Sequence, residues 1–166
     1  MAAAINNNLG TLLVTTYAVP SVPNTTGDDI GVICYKASQC AIPAAATDLA
    51  GSQYRFFQVS SSDIIRSLDF SCSALTAGAI SLGLYAAPNT ATATSVALFA
   101  TSVSCASALS QVNKRYTSLA VTTVGQRVWQ LLGLSADPLL TYDVVGTSTT
   151  AATAAGTLAL EMSFVR

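Results

Sequence analysis

Thr157-Leu-Ala-Leu-Glu-Met-Ser-Phe-Val165 alternates cleanly, with Leu158, Leu160, Met162 and Phe164 set against Thr157, Ala159, Glu161 and Ser163. Successive side chains of a β-strand point to opposite faces, so this segment predicts a half-buried strand with one core face and one polar face. The same period runs back through the chain. It predicts strands over Tyr54–Val59, Ile64–Cys72, Ala79–Ala86, Ser95–Val103, Thr117–Thr123 and Tyr142–Thr147. In 79–86, Ile80, Leu82 and Leu84 share one face and the small Ala79, Ser81 and Gly83 the other. In 64–72, Ile64, Leu68, Phe70 and Cys72 form one face, Ile65, Ser67, Asp69 and Ser71 the other, and Arg66 is a misfit on the first.

Turn residues punctuate these runs at Ser60–Asp63, Ala87–Asn89, Gln111–Lys114 and Asp137–Pro138. The exception to the period is 124–134, where Val128, Leu131 and Leu132 fall at helical spacing and Gly133 suits a C-terminal cap, so one short helix is expected. Trp129 beside them reads as a plug for the open end of a core rather than a ligand platform. Seven such strands, with one or two more from the N-terminal third, give an all-β fold, a jelly-roll-like β-sandwich. A pilin-like or immunoglobulin-like sandwich fits the same pattern. The sandwich is expected to occupy residues 31–166, with 43–52 as a loop.

Residues 1–30 differ. Asn6 to Asn8, Gly10, Pro20, Pro23 and the turn-rich stretch 24–29 surround one apolar piece, Leu12 to Val19. They predict an extended N-terminal arm that contacts a neighbouring protein. Leu13, Thr15, Tyr17 and Val19 would form one row of contacts, with Val22 beyond it.

At 166 residues the chain is one domain, large enough to fold without disulfides or metals. Only 9% of it is charged, the formal net charge is −1, and it has no His. Seven basic residues spread from Lys36 to Arg166 form no phosphate-binding patch, so nucleic acid is not an expected partner. Catalysis is poorly supplied, because Glu161 is the only Glu, and neither a phosphate-binding glycine loop nor a nucleophile elbow is present. The most apolar stretches, 74–87 and 96–109, are broken by Ser, Thr and Gly, and no transmembrane segment or signal peptide is predicted.

Cys34, Cys40, Cys72 and Cys105 contain no C-x-x-C pair, and no metal or cofactor is expected. Cys72 and Cys105 read as small buried hydrophobes, while Cys34 and Cys40 could close a small loop under oxidising conditions and would stay reduced in a cytosolic setting. Asp28-Asp29 reads as a polar turn, and Asn24-Thr25-Thr26 as a chance match to a glycosylation acceptor. Tyr142-Asp143 reads as an edge pairing rather than a catalytic dyad.

The second half has a further character. Arg66-Ser-Leu-Asp-Phe70, Gly83-Leu84-Tyr85, the stretch from Arg127-Val-Trp-Gln to Ala-Asp-Pro138, Thr141-Tyr-Asp-Val144 and Ala154-Ala-Gly-Thr-Leu-Ala-Leu160 resemble the decoration, or cement, proteins of tailed bacteriophages. The similarity covers about 100 residues, 66–166, and leaves the N-terminal third unmatched. It implies a non-enzymatic jelly-roll-like protein, often a homotrimer, made in the host cytoplasm, bound to the major capsid protein on the outer surface of the virion. The alternative is a pilus or fimbrial subunit that donates Leu12–Val19 as a strand to the next subunit.

Overall fold

The computed structural model describes residues 32–42, 49–87, 93–115 and 117–166. The expected arm, 1–30, and most of the expected 43–52 loop lie outside the described residues, as does the boundary proposed at residue 31. The described chain forms eight strands: β1 (Ile33–Ile42), β2 (Gln53–Ser60), β3 (Ile64–Cys72), β4 (Ala79–Ala86), β5 (Ala93–Ser104), β6 (Leu109–Asn113), β7 (Thr141–Thr150) and β8 (Gly156–Val165). One helix, α1 (Val128–Leu131), sits between β6 and β7.

The strands make two antiparallel four-stranded sheets, ordered β1-β8-β3-β6 and β2-β7-β4-β5. Pairing is nested: β1 with β8, β2 with β7, β3 with β6 and β4 with β5. The result is the expected all-β sandwich, and the nesting is compatible with a jelly roll.

Alternation in the sequence becomes the core. Leu158, Leu160, Met162 and Phe164 of β8 face inward with Leu68 and Phe70 of β3. They meet Ile80, Leu82 and Leu84 of β4, Val144 of β7 and Phe99 of β5 from the second sheet. Gly146 lies in this layer because a Cβ there would come to 3.1 Å from Ile80 and 3.3 Å from Phe56.

Several expectations are corrected. Ile65, assigned to the outer face of β3, is fully buried in the core, because the ladder to β8 shifts register between Ile65 and Ser67. That bulge takes up one residue, Arg66, and so accounts for the misfit. Thr117–Thr123 forms bends and a 3-10 turn over Val121–Thr123 instead of a strand. The turn expected at 111–114 is instead largely the end of β6. The helix expected over 124–134 shrinks to a single turn, although Gly133 does take the left-handed conformation (φ +72°) expected of a C-terminal stop. Val128, not Trp129, is the helix residue packed into the core.

Candidate functional site

The second sheet carries its most concentrated polar cluster on the face turned away from the core. Three cross-strand rows lie there: Gln53–Thr147–Ser81, Arg55–Val145–Gly83 and Gln58–Asp143–Tyr85. Such a face is ordinarily solvated, yet Val145 is 0% exposed, Tyr85 2% and Asp143 5%. The Arg55 guanidinium lies 2.7 Å from the Asp143 carboxylate, donates to Gln53 Oε1 at 2.9 Å, and stacks 5.4 Å from the Tyr85 ring. The Tyr85 and Thr147 hydroxyls are 2.8 Å apart, so the tyrosine leans across the Val145–Gly83 row. Backbone covers the rest, since a Cβ on Gly83 would stand 2.1 Å from the Ser95 carbonyl oxygen.

The arrangement ties β2, β4 and β7 together from outside the core, with a charge-assisted pair and a cation–π contact at its rim. It also corrects the reading of Tyr142-Asp143 as an edge pairing. β7 is an inner strand, its Tyr142 faces the core, and Asp143 on the opposite face is partnered by Arg55.

At one end of the sandwich the Ser60–Asp63 turn is locked to the loop before β7. The buried Ser61 hydroxyl donates to Asp137 Oδ1, which also accepts the Leu139 N–H at 2.9 Å. Ser61 Oγ accepts from Leu140 N at 3.1 Å, and Ser61 N donates to Leu140 O at 2.8 Å. The Ser61 hydroxyl, followed by the Leu139 amide, holds the Asp137 carboxyl below the usual carboxylate range. This clamp fixes Leu139 at φ 55°, a left-handed conformation rare for leucine, with its side chain 84% exposed. Leu139 and Leu140 border a shallow hollow with Ala86, Ala87 and Tyr142. Arg127 donates to Ser62 O at 2.8 Å at the same end.

On the outer face of the first sheet, Glu161 and Asp69 are cross-strand neighbours, and Asn113 donates to Asp69 at 3.1 Å. A hydrogen bond with Glu161, then burial, then the charges of Glu161 and Asp69 push the Tyr35 hydroxyl above its ordinary pKa.

The four thiols are free. Cys72 and Cys105 are buried in the core as expected, and desolvation with a hydrogen bond to Cys72 pushes the Cys105 thiol up to about 12. Cys34 and Cys40 share one face of β1, six residues apart in an extended strand and thus ~20 Å from each other. A disulfide needs Cα atoms within about 7 Å, so the loop closure considered from sequence is excluded within one chain. The segment is instead the strand β1, paired along its length with β8.

The expected contact residues Leu13, Thr15, Tyr17, Val19 and Val22 all lie outside the described residues. Among the described residues, no three His, Cys, Asp or Glu side chains are grouped to hold a metal ion, and no helix is long and apolar enough to cross a membrane. The Arg55 cluster went unread in the sequence because its charged partners stand 88 positions apart. The one sequence signal toward it is the adjacent apolar pair Val144-Val145, which breaks the alternation of a strand covered on one face.

Fold and surface together define the chain as a low-charge, two-sheet antiparallel β-sandwich. No family model and no curated protein matches it. Among solved structures it is similar to a chain of the "Cyanophage Pam1 capsid asymmetric unit", at 10% sequence identity and a TM-score of 0.44, covering 81% of this chain and 85% of that one.

Proposed function

We propose that this chain is a non-enzymatic structural protein of a virion, a decoration or cement protein on the outer surface of a tailed-bacteriophage head. The observation that carries the reading is a surface built for contact. Val32, Ile33, Tyr35, Val121, Val124, Leu139 and Leu140 are all more than half exposed on a chain that is only 9% charged. The resemblance of residues 66–166 to decoration proteins supplies the kind of partner. The major capsid protein would bind this surface, the chain would associate with itself as a homotrimer, and Leu13, Thr15, Tyr17, Val19 and Val22 of the arm would add contacts.

The fimbrial alternative loses support from β1. Cys34 and Cys40, the pair most suited to the disulfide expected of a pilus subunit, are held apart by the strand.

Mass spectrometry of purified virions tests the proposal. The chain should appear at a fixed stoichiometry to the major capsid protein and should co-sediment with heads when added back. Absence from virions, with no co-sedimentation, would refute it.

A further inference from the structure

Among the described strands the two sheets have four lateral edges, β1 and β6 on the first and β2 and β5 on the second. An open edge is a template for another strand, and natural β-proteins disarm it with short strands, bulges, inward charges or cover. Three of these edges are disarmed. β6 is five residues long, its ladder shifts between Phe70 and Cys72, and Gln111 has φ 48°. β5 has three register shifts and Ser102 at φ 45°. β2 bulges between Arg55 and Phe57, and its Arg55 and Gln58 carbonyls accept Cys40 Sγ and Lys36 Nζ from β1.

β1 shows none of these devices on its own edge. It pairs with β8 over ten residues, from Ile33↔Val165 to Ile42↔Gly156, without a register shift. It contains neither Pro nor Gly. Its single charge, Lys36, is drawn inward onto the Gln58 carbonyl and over the Phe164 ring at 5.2 Å. No described residue pairs with its other side. Val32, Ile33 and Tyr35 stand 77%, 71% and 62% exposed beside it.

We infer that this edge pairs antiparallel with the β1 edge of a second copy, about a two-fold axis at Ala37. A two-fold axis perpendicular to the sheet keeps outward side chains on the outward side, so paired residues must have the same parity. Centring on Ala37 matches the whole described segment, from Val32 opposite Ile42 of the second copy onward. The small Ala37 lies on the axis, Tyr35 faces Gln39, Ile33 faces Ala41, and Lys36 faces Ser38, so no like charges meet. Centring on Lys36 would instead set two ammonium groups against each other. In the Ala37 register, Cys34 of each copy stands directly opposite Cys40 of the other, two residues for which the single chain offers no covalent use.

The strand is about 33 Å long, and a contact one strand deep covers roughly 400 Å² per copy, half of a standard interface. The free dimer is therefore weak and is best detected by trapping. A two-fold contact closes at two chains, so this pairing is separate from the trimer contact of the virion reading and would join copies of different trimers. It reserves Ile33 and Tyr35 for the second copy, and it survives the failure of that reading.

The full-length protein is treated with diamide, which takes up the two electrons and two protons released as two thiols become a disulfide. Linked peptides are then mapped by mass spectrometry after non-reducing electrophoresis. The expected product is a covalent dimer joining the Cys34 peptide to the Cys40 peptide. Cys34→Ala alone and Cys40→Ala alone, each folded by circular dichroism, should lose at least nine-tenths of that dimer. An equimolar mixture of the two should restore it, because one Cys34–Cys40 pair remains between unlike chains. The wild-type linkage map stands even if a variant fails to fold. Cys34–Cys34 or Cys40–Cys40 links, undiminished dimer in either single variant, or no covalent dimer at all would overturn the inference. So would a dimer that forms only after residues 1–23 are deleted, since the edge would then belong to the chain's own arm.

Discussion

Strands β8 and β7 occupy equivalent places, each an inner strand with neighbours on both sides, yet their outer faces differ. β8 alternates, with Leu158, Leu160 and Met162 buried and Ala159, Glu161 and Ser163 half-buried. β7 is buried on both faces from Tyr142 to Ser148. The contrast comes from what lies beyond each sheet. Outside β8 there is a face of small and acidic side chains, whereas outside β7 the Arg55–Tyr85 pair and the start of β5 form a second layer. Alternation in a sequence reports how many faces of a strand are covered and says nothing of its rank in the sheet.

That comparison breaks most visibly under a buried carboxylate. Leu160→Asp, on the inner face of β8, should abolish cooperative folding, a loss of several kcal/mol. Val145→Asp, on the outer face of β7, should be nearly as damaging because that side chain is equally buried. Urea melts read both, and a Val145→Asp protein as stable as wild type would mean the outer layer is not there.

Gly83→Ala asks whether backbone forms part of that layer. The added Cβ meets the carbonyls of Ser95 and Val96, which cannot swing aside as a side chain tip would, and a cost of about 3 kcal/mol is expected. A change below 0.5 kcal/mol would show that the β5 crossing yields freely.

Arg55→Ala leaves the 7% exposed Asp143 carboxylate without its guanidinium. Because Arg55 itself is 22% exposed and water can partly replace it, about 2 kcal/mol is expected, less than for a fully buried pair. Glu161→Gln on the uncovered face of β8 should stay within about 0.5 kcal/mol, which thermal melts at several salt concentrations would check.

The smallest effect is one of pH. Asp137 is held below the ordinary carboxylate range, so its contribution is fully present above about pH 3.9 and is lost as pH falls through the lower folded value. Thermal midpoints of wild type and Asp137→Asn should differ at neutral pH and converge on acidification. Parallel curves down to pH 2 would show that the Ser61 clamp does not depend on the charge.

How much of this was legible follows from side-chain chemistry. The bounds of β3 and β4 match the sequence reading, because large apolar residues alternate there with small or polar ones. β1, expected only as one of one or two strands in the N-terminal third, went unplaced because its pattern is inverted: Cys34, Lys36, Ser38 and Cys40 point inward while Ile33 and Tyr35 point out, so hydrophobicity gives the wrong phase. β6 escaped because a short edge strand exposed on most of its length carries no alternation at all. Thr117–Thr123 misled in the opposite direction. Its β-branched residues favour a strand, but the buried Arg115 donates to the Thr123 carbonyl at 3.3 Å and the local chain turns back on itself. At the site, nothing in the alternating run 54–59 sets Arg55 apart from a solvated charge, and only the fold brings Asp143 to it.

The pairing of β1 with β8 sets an order on the birth of this fold. β8 lies between β1 and β3, so neither can complete its ladder until Gly156–Val165 has left the ribosome. From their own synthesis until that of β8, Ile65, Leu68 and Phe70 wait with no neighbour on the β8 side. Pairing over some 120 positions is slow to nucleate, and a chain halted before residue 156 would leave that surface open for good. Translation through Gly156–Val165 is thus the committing event for this sheet, and folding helpers would have their longest engagement with Ile64–Cys72 until then.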